Sequence, residues 1–269
     1  MAISFNHIPA NVRVPLFKAE VDASQAGYFT QNQRALLVGQ IHAAGTAAAG
    51  VPIMVSGVAQ ARALFGAGSI LARMVETYRR NDDFGEIWCL PLADDAGAAS
   101  ASGSVALTGT ASAAGTLSLY IAGQLVRQGV AAGDTAAAVA TALTATITGM
   151  PDLPVTAAVD GAASGTITLT AKHKGALGND IDIRCNYLGA IGGEAYPAGL
   201  SAVVTAMSGG TANPSLSAAL AALGDEEFDF LACPYTDTAS LDALKRGTYR
   251  IWLTAPAANS AQSVARCKR

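Results

Sequence analysis

The residues able to do chemistry are few and far apart. Three histidines (His7, His42, His173) and four cysteines (Cys89, Cys185, Cys233, Cys267) are scattered, with no CxxC pair. A zinc site needs clustered ligands, so none is assigned. Cys89 and Cys233 sit in apolar runs, where a thiol serves as a small hydrophobe. A hydrolase needs serine, histidine and acid in one constellation. No GxSxG occurs, and His173, flanked by Lys172 and Lys174, reads as a surface residue. Gly66-Ala-Gly68-Ser69 precedes a helix but lacks the lysine of a phosphate-binding loop, and Leu71 stands where a dinucleotide fingerprint has its third glycine. Small residues at a helix N-terminus explain it. Asn179-Asp180-Ile181-Asp182 spaces its oxygens like a calcium loop but lacks the loop glycine and distal glutamate. Asp225-Glu226-Glu227 is the densest acid cluster and reads as a solvated loop. No catalytic, metal or cofactor site is therefore assigned.

The 269 residues have to hold whatever they position on little aromatic material, because Ala counts 58, Gly 28 and aromatics 6%. With 51% hydrophobic and 14% charged residues the chain is not mainly disordered. Its small side chains favour help from partner subunits. No apolar run is long enough for a membrane span, and the N-terminus has no secretory leader pattern, so the product is expected to stay in the cytoplasm of the cell that makes it. Net charge is −3. Six basic residues and no acid lie between Ala243 and Arg269, leaving eleven basic and twenty acidic residues, or −9, on the rest. An acidic body is a poor nucleic-acid ligand.

Residues 1–33 read as an extended arm. Pro9 and Pro15 force extended neighbours, and Val12, Val14 and Leu16 alternate with polar or proline positions. Such an arm lies on its own body or adds a strand to another subunit. Phe5, Ile8, Pro9, Val12, Val14 and Leu16 are the candidate interface residues.

From Arg34 the texture is α/β. Strands are predicted at Ala35–Gly39, Val51–Val55 (an edge, because of Pro52) and Glu86–Leu92, with a Ser56-capped helix over Val58–Phe65 and a Ser69-capped helix bearing Ile70, Leu71, Met74, Val75 and Tyr78 on one stripe. Strand, helix, strand of these lengths implies parallel pairing. Between Ala98 and Thr170 only Arg127, Asp134, Asp152 and Asp160 are charged. Short alternating strands there, at Asp180–Tyr187 and around one helix (Val139, Leu143, Ile147) predict two antiparallel layers with a helix on one face. The first texture resumes with Val203–Met207, a helix through Leu216–Leu223, a buried strand Phe228–Cys233 and a helix from Thr238. The fold class is thus an α/β body of discontinuous βαβ units with an inserted β-rich α+β module and an extended N-terminal arm. Its parts are the arm 1–33, the body 34–95 and 203–246, the module 96–202, and a basic, disordered tail 247–269.

The opening Ile3–Phe17 followed by Ala19-Glu-Val-Asp22 resembles the tail sheath proteins of Mu-like contractile bacteriophages. Ala35-Leu-Leu-Val-Gly39, Ala63–Ser69, Met207–Pro214 and Cys233-Pro-Tyr-Thr-Asp237 extend the resemblance over roughly residues 2–245. It implies a non-enzymatic subunit that polymerises with copies of itself in stacked rings around the tail tube. On a baseplate trigger the sheath contracts and drives the tube through the host envelope. Partners so implied are the chain itself, the tail tube, baseplate and tail terminator proteins, with no direct nucleic acid and no membrane insertion; the place is the virion. The likeness stops near Lys245-Arg246, and that departure reads as a truncated or frame-shifted product, such as a prophage remnant. Two alternatives from other classes are an α/β hydrolase-like enzyme with an unrecognised site and another phage tail or surface component.

Overall fold

A computed structural model describes residues 33–224 and 226–254. The arm residues 1–32, with Phe5, Ile8, Pro9, Val12, Val14 and Leu16, lie outside the described residues, as do Asp225 and residues 255–269.

Strand β1 (Arg34–Gln40) is apolar at consecutive positions, the pattern of a strand covered on both faces. It runs parallel to the strand Glu86–Leu92, in register from Arg34 opposite Glu86 to Gln40 opposite Leu92. Between these two in sequence come β2 (Ile53–Met54), α1 (Val58–Phe65) and α2 (Ile70–Arg79), which makes Glu86–Leu92 β3. β2 pairs antiparallel with β3 at one edge of the sheet. Ser69 does cap α2, accepting from the Ala72 N–H at 3.2 Å. Ser56 does not cap α1; its N–H and hydroxyl both bond to Gln60, and Gly57 takes the cap position. Leu37, Ile87 and Cys89 pack on Phe65, Leu71 and Val75 from these helices. The other strand parity, Leu36, Val38, Leu90 and Leu92, packs on Leu216, Ala219, Leu223 and Tyr235.

Residues 100–208 build two antiparallel sheets. One has β4 (Ser100–Gly109), β7 (Val155–Val159), β8 (Thr166–Lys174) and β10 (Leu200–Ser208) in the order β10-β4-β8-β7; the other has β5 (Gly115–Ile121), β6 (Gln124–Val130) and β9 (Ile183–Cys185) in the order β6-β5-β9. β5 and β6 meet in a two-residue turn, Ala122-Gly123, with φ of 49° and 78°. Positive φ at both positions matches the twist of a hairpin. Helix α3 (Ala136–Thr148), capped by Thr135, buries Val139, Ala140, Leu143 and Ile147 in the core that both sheets share. Its stripe recurs every three to four residues, as helix geometry requires.

Four expectations need correction. Val203–Met207 does not return to the body: its strand, β10, pairs with β4, Val204 opposite Val105. The alternation of exposed and half-buried residues along it fits an antiparallel edge, not a covered parallel strand. Asp180–Tyr187 is a strand only over Ile183–Cys185, because Ala176–Asp180 forms a 3-10 turn. The strand near Phe228 shrinks to β11 (Phe230–Ala232), parallel to β1 and exposed, at the end of the sheet. After α4 (Ser217–Ala221), helix α5 runs Thr238–Thr254, so residues 247–254 are helical rather than a disordered tail. No proline interrupts the chain between Pro234 and Pro256, so nothing in that stretch forces an earlier stop.

Two substitutions separate core from surface. Leu143→Ala, at a fully buried side chain, should lower unfolding free energy by about 2–5 kcal/mol. Ile191→Ala, at a fully exposed one, should change it by less than about 0.5 kcal/mol. Denaturant titration followed by circular dichroism checks both.

Candidate functional site

Because β1 and β3 are parallel, their C-terminal ends open on the same side of the sheet. That is where open α/β sheets place ligands. Here the position is filled by the chain itself. β8 ends there with Lys172, His173 and Lys174, and the turn before α2 closes over it.

The contacts form one network. Gln40, the last residue of β1 and 1% exposed, donates from Nε2 to Asp94 Oδ1 at 2.7 Å and to the Lys174 carbonyl at 2.7 Å. Asp94 follows β3 by two residues; its Oδ2 accepts the Lys174 N–H at 3.0 Å and its Oδ1 meets His173 Nδ1 at 3.0 Å. His173 Nε2 accepts the Ile70 N–H, in the first turn of α2, at 3.3 Å. An acceptor at Nε2 carries no proton, so the ring is the Nδ1–H tautomer and donates to Asp94. The His42 ring stacks flat on the His173 ring, centroids 4.1 Å apart and planes 1° apart. Burial first, then the neighbouring His173 and Lys172, lower the His42 pKa to about 4. Burial pushes the Asp94 carboxyl up, but hydrogen bonds from His173, Lys174 and Gln40 outweigh it and hold the group below its ordinary value.

His173 is therefore not a surface residue; it is 6% exposed. The parity of β8 explains it. Ile167, Leu169, Ala171 and His173 share the inward side, while Lys174 points out. That alternation was visible in sequence; the pairing with Asp94, 79 residues away, carried no local signal.

A histidine bonded to an aspartate invites comparison with a hydrolytic dyad. In such a dyad the second ring nitrogen takes the nucleophile's proton. Here that nitrogen is held by a backbone N–H. The thiols are no better placed, since burial pushes Cys89 up to about 12 and Cys233 up to about 11, leaving little reactive thiolate near neutrality.

The glycine turn before α2 serves the same junction. Gly68 has φ of +79°, and a Cβ there would lie 2.6 Å from the Pro151 carbonyl oxygen and 2.7 Å from that of Leu153. Lys172 Nζ donates to the Pro151 carbonyl at 2.7 Å, and Arg62 bridges to Asp152 at 3.1 Å. The first-turn N–H groups of Ile70 and Ala72, which a phosphate would use, bond to His173 and Ser69 instead.

Of the other weighed segments, Asn179 bonds both ways to the Gly210 backbone, at 2.8 and 2.9 Å, and Asp182 pairs with Arg184 at 2.7 Å. The acid cluster is not merely a solvated loop. Glu226 pairs with Arg34 at 2.9 Å, Glu227 offers its carbonyl, and the Arg34 guanidinium also binds Glu86 and lies 5.1 Å from the Trp88 ring centre and 5.0 Å from that of Phe228. Among the described residues no cluster of three or more metal-ligating side chains occurs, and no helix is long and apolar enough to cross a membrane.

These side chains hold parts of a protein together; they do not converge on a reactant. The family comparison agrees with such a role. The phage tail sheath protein beta-sandwich domain matches residues 94–202. The Mu-like prophage FluMu tail sheath protein of Haemophilus influenzae is 45% identical over 254 residues, 94% of this chain and 51% of that protein. The chain thus spans about half the length of the curated relative it matches. In this chain the matched segment begins at Asp94, the carboxylate of the network above.

Gly68→Ala should destabilise the fold by about 1–3 kcal/mol through strain plus overlap. Gly123→Ala, with φ of +78° but open space around the Cβ, should cost about 1 kcal/mol. Thermal unfolding of the two variants side by side measures the difference.

Proposed function

We propose that this chain is a structural subunit of a contractile phage tail sheath, made in the bacterial host cytoplasm and placed in the virion. It polymerises with copies of itself around the tail tube and drives that tube through the host envelope during genome ejection, without enzymatic activity. The 45% identity to a sheath protein over 94% of the chain carries this reading. The use of both His173 nitrogens within the fold supports a structural role over a hydrolytic one.

In this reading the α/β body, 34–95 and 203–246, is discontinuous, and the β-rich module 96–202 is a peripheral domain inserted into it. The pairing of β10 with β4 supports carrying the module's far boundary to Ser208. The alternating arm, Phe5 to Leu16, adds a strand to a neighbour. β11, with Phe230 45% and Leu231 39% exposed at the end of its sheet, is a surface suited to such additions. The tail tube, baseplate and tail terminator proteins are the remaining partners.

Sedimentation and negative-stain microscopy, with and without tail tubes, test the reading. Self-association or tube decoration is expected. Proline at Val12 or Val14 should weaken it more than about tenfold, equivalent to 1.4 kcal/mol. A monomer that ignores tubes and turns over ester or peptide substrates would overturn the proposal.

A further inference from the structure

We infer that the stacked His42–His173 pair is an acid-sensitive latch between the α/β sheet and the β-rich module, closed while His42 is neutral and loosened when it takes up a proton. The two rings come from opposite sides of the seam: His42 follows β1, and His173 ends β8. They lie face to face at 4.1 Å, a separation that suits two neutral rings and sets two charged ones against each other. Both residues are held by groups of the α/β body. The His42 N–H bonds to the Phe65 carbonyl at 2.9 Å, while His173 is clamped between Asp94 and the first turn of α2. His42 Nε2 is buried without a hydrogen-bond partner, and the Gly68 backbone, the one hydrogen bond that favours a charged ring, is outweighed by burial.

The charged and titratable groups around His42 come from every side of the seam. β8 supplies His173 and Lys172, both of which oppose protonation of His42, and the Lys172 ammonium is in turn affected by Asp152, which pairs with Arg62 of α1. Asp94, after β3, favours the proton but is already engaged by three donors. The segment before α5 brings Tyr235 and Asp237, both close enough to influence one another and, in the case of Tyr235, to feel Asp94. Lys174 meets the network through its backbone. Burial and the two β8 neighbours prevail, and the closed seam keeps His42 neutral down to about pH 4.

The direction of the effect follows. An opened seam gives His42 an ordinary histidine pKa of about 6.5. Between that value and about 4 the open form binds a proton that the closed form refuses. Closure is therefore complete in strength above about pH 6.5, weakens by up to tenfold per pH unit below it, and levels off once the closed form also protonates.

Amide hydrogen exchange on the full chain, corrected for intrinsic rates, tests this. The Ile70 and Lys174 N–H groups report the seam; amides of Val38 and Leu169 report the two cores. Between pH 6.5 and 4.5 seam protection should fall roughly tenfold per pH unit while core protection holds. His42→Phe keeps a flat ring and removes the proton, so its seam protection should lose that slope. If circular dichroism shows this variant misfolded, the wild-type profile decides alone. A slope that persists in a folded His42→Phe chain, or a wild-type seam with no slope, overturns the latch. The inference rests on the division into body and module proposed above. Seam and core amides exchanging through one common opening at every pH would overturn that division and the latch with it, whereas separate openings without a slope overturn the latch alone.

Discussion

Three separate stretches of chain meet at the half-buried carboxylate of Asp94, and the arrangement of the remaining structure follows from what that carboxylate needs. A carboxylate taken out of water must keep its hydrogen bonds. Asp94 gets them from Gln40 at the end of β1, from the His173 ring and from the Lys174 backbone. Each donor fixes a different element. Gln40 ties down the C-terminal edge of the parallel sheet, and β8 brings the sandwich to it. His173, held in one tautomer, passes the constraint to α2 through the Ile70 N–H. Moving any one of these elements alone would leave a buried donor or acceptor unmatched.

Small side chains shape how the rest is packed. An Ala-rich chain cannot fill one large core, and the described residues instead form three compact ones: two on the faces of the parallel sheet and one inside the sandwich. β1 and β3 serve two of these cores at once, because successive residues point to opposite faces. Leu177, from the 3-10 turn after β8, reaches into the core around Leu36 and Tyr235. The seam between sandwich and sheet is thus apolar at Leu177 and polar around Asp94.

Local rules carried much of the architecture. The apolar runs at Ala35–Gly39 and Glu86–Leu92, the Ser69 cap and the i, i+4, i+8 stripe of α3 were legible because each is set by neighbours in sequence. Failures arose where distant pairing decides. Val203–Met207 resembles a body strand by composition, yet its partner is β4, and no local feature names that partner. Phe228–Cys233 is apolar enough for a core strand, but β11 lies at the end of the sheet, where apolar side chains stay exposed. The two lysines flanking His173 point to a surface position, but the period-two parity from Ile167 turns its ring inward. Asp94 stood unremarked at a change of texture, since a lone aspartate in a linker has no pattern until its partners arrive from elsewhere. The Arg34–Glu226 pair spans 192 residues and was equally invisible.

A polar seam also answers why the chain holds its parts together with histidine and aspartate when leucine is available. Two surfaces joined by apolar contact would expose that area to water whenever they separated, at about 25 cal/mol for each Å². Groups such as Gln40, Asp94, His42 and His173 exchange their internal hydrogen bonds for water, so separation leaves little apolar surface to drive misassociation. The closed state stays specific, because the donors of Gln40, His173 and Lys174 meet acceptors placed to match them. In a protein whose proposed work is to pass between two packed arrangements, a junction that is well defined when closed and soluble when open serves better than a stronger, greasier one. The same logic accounts for the reach of Leu177: one apolar anchor adds stability to the docked seam without turning the whole surface into a core.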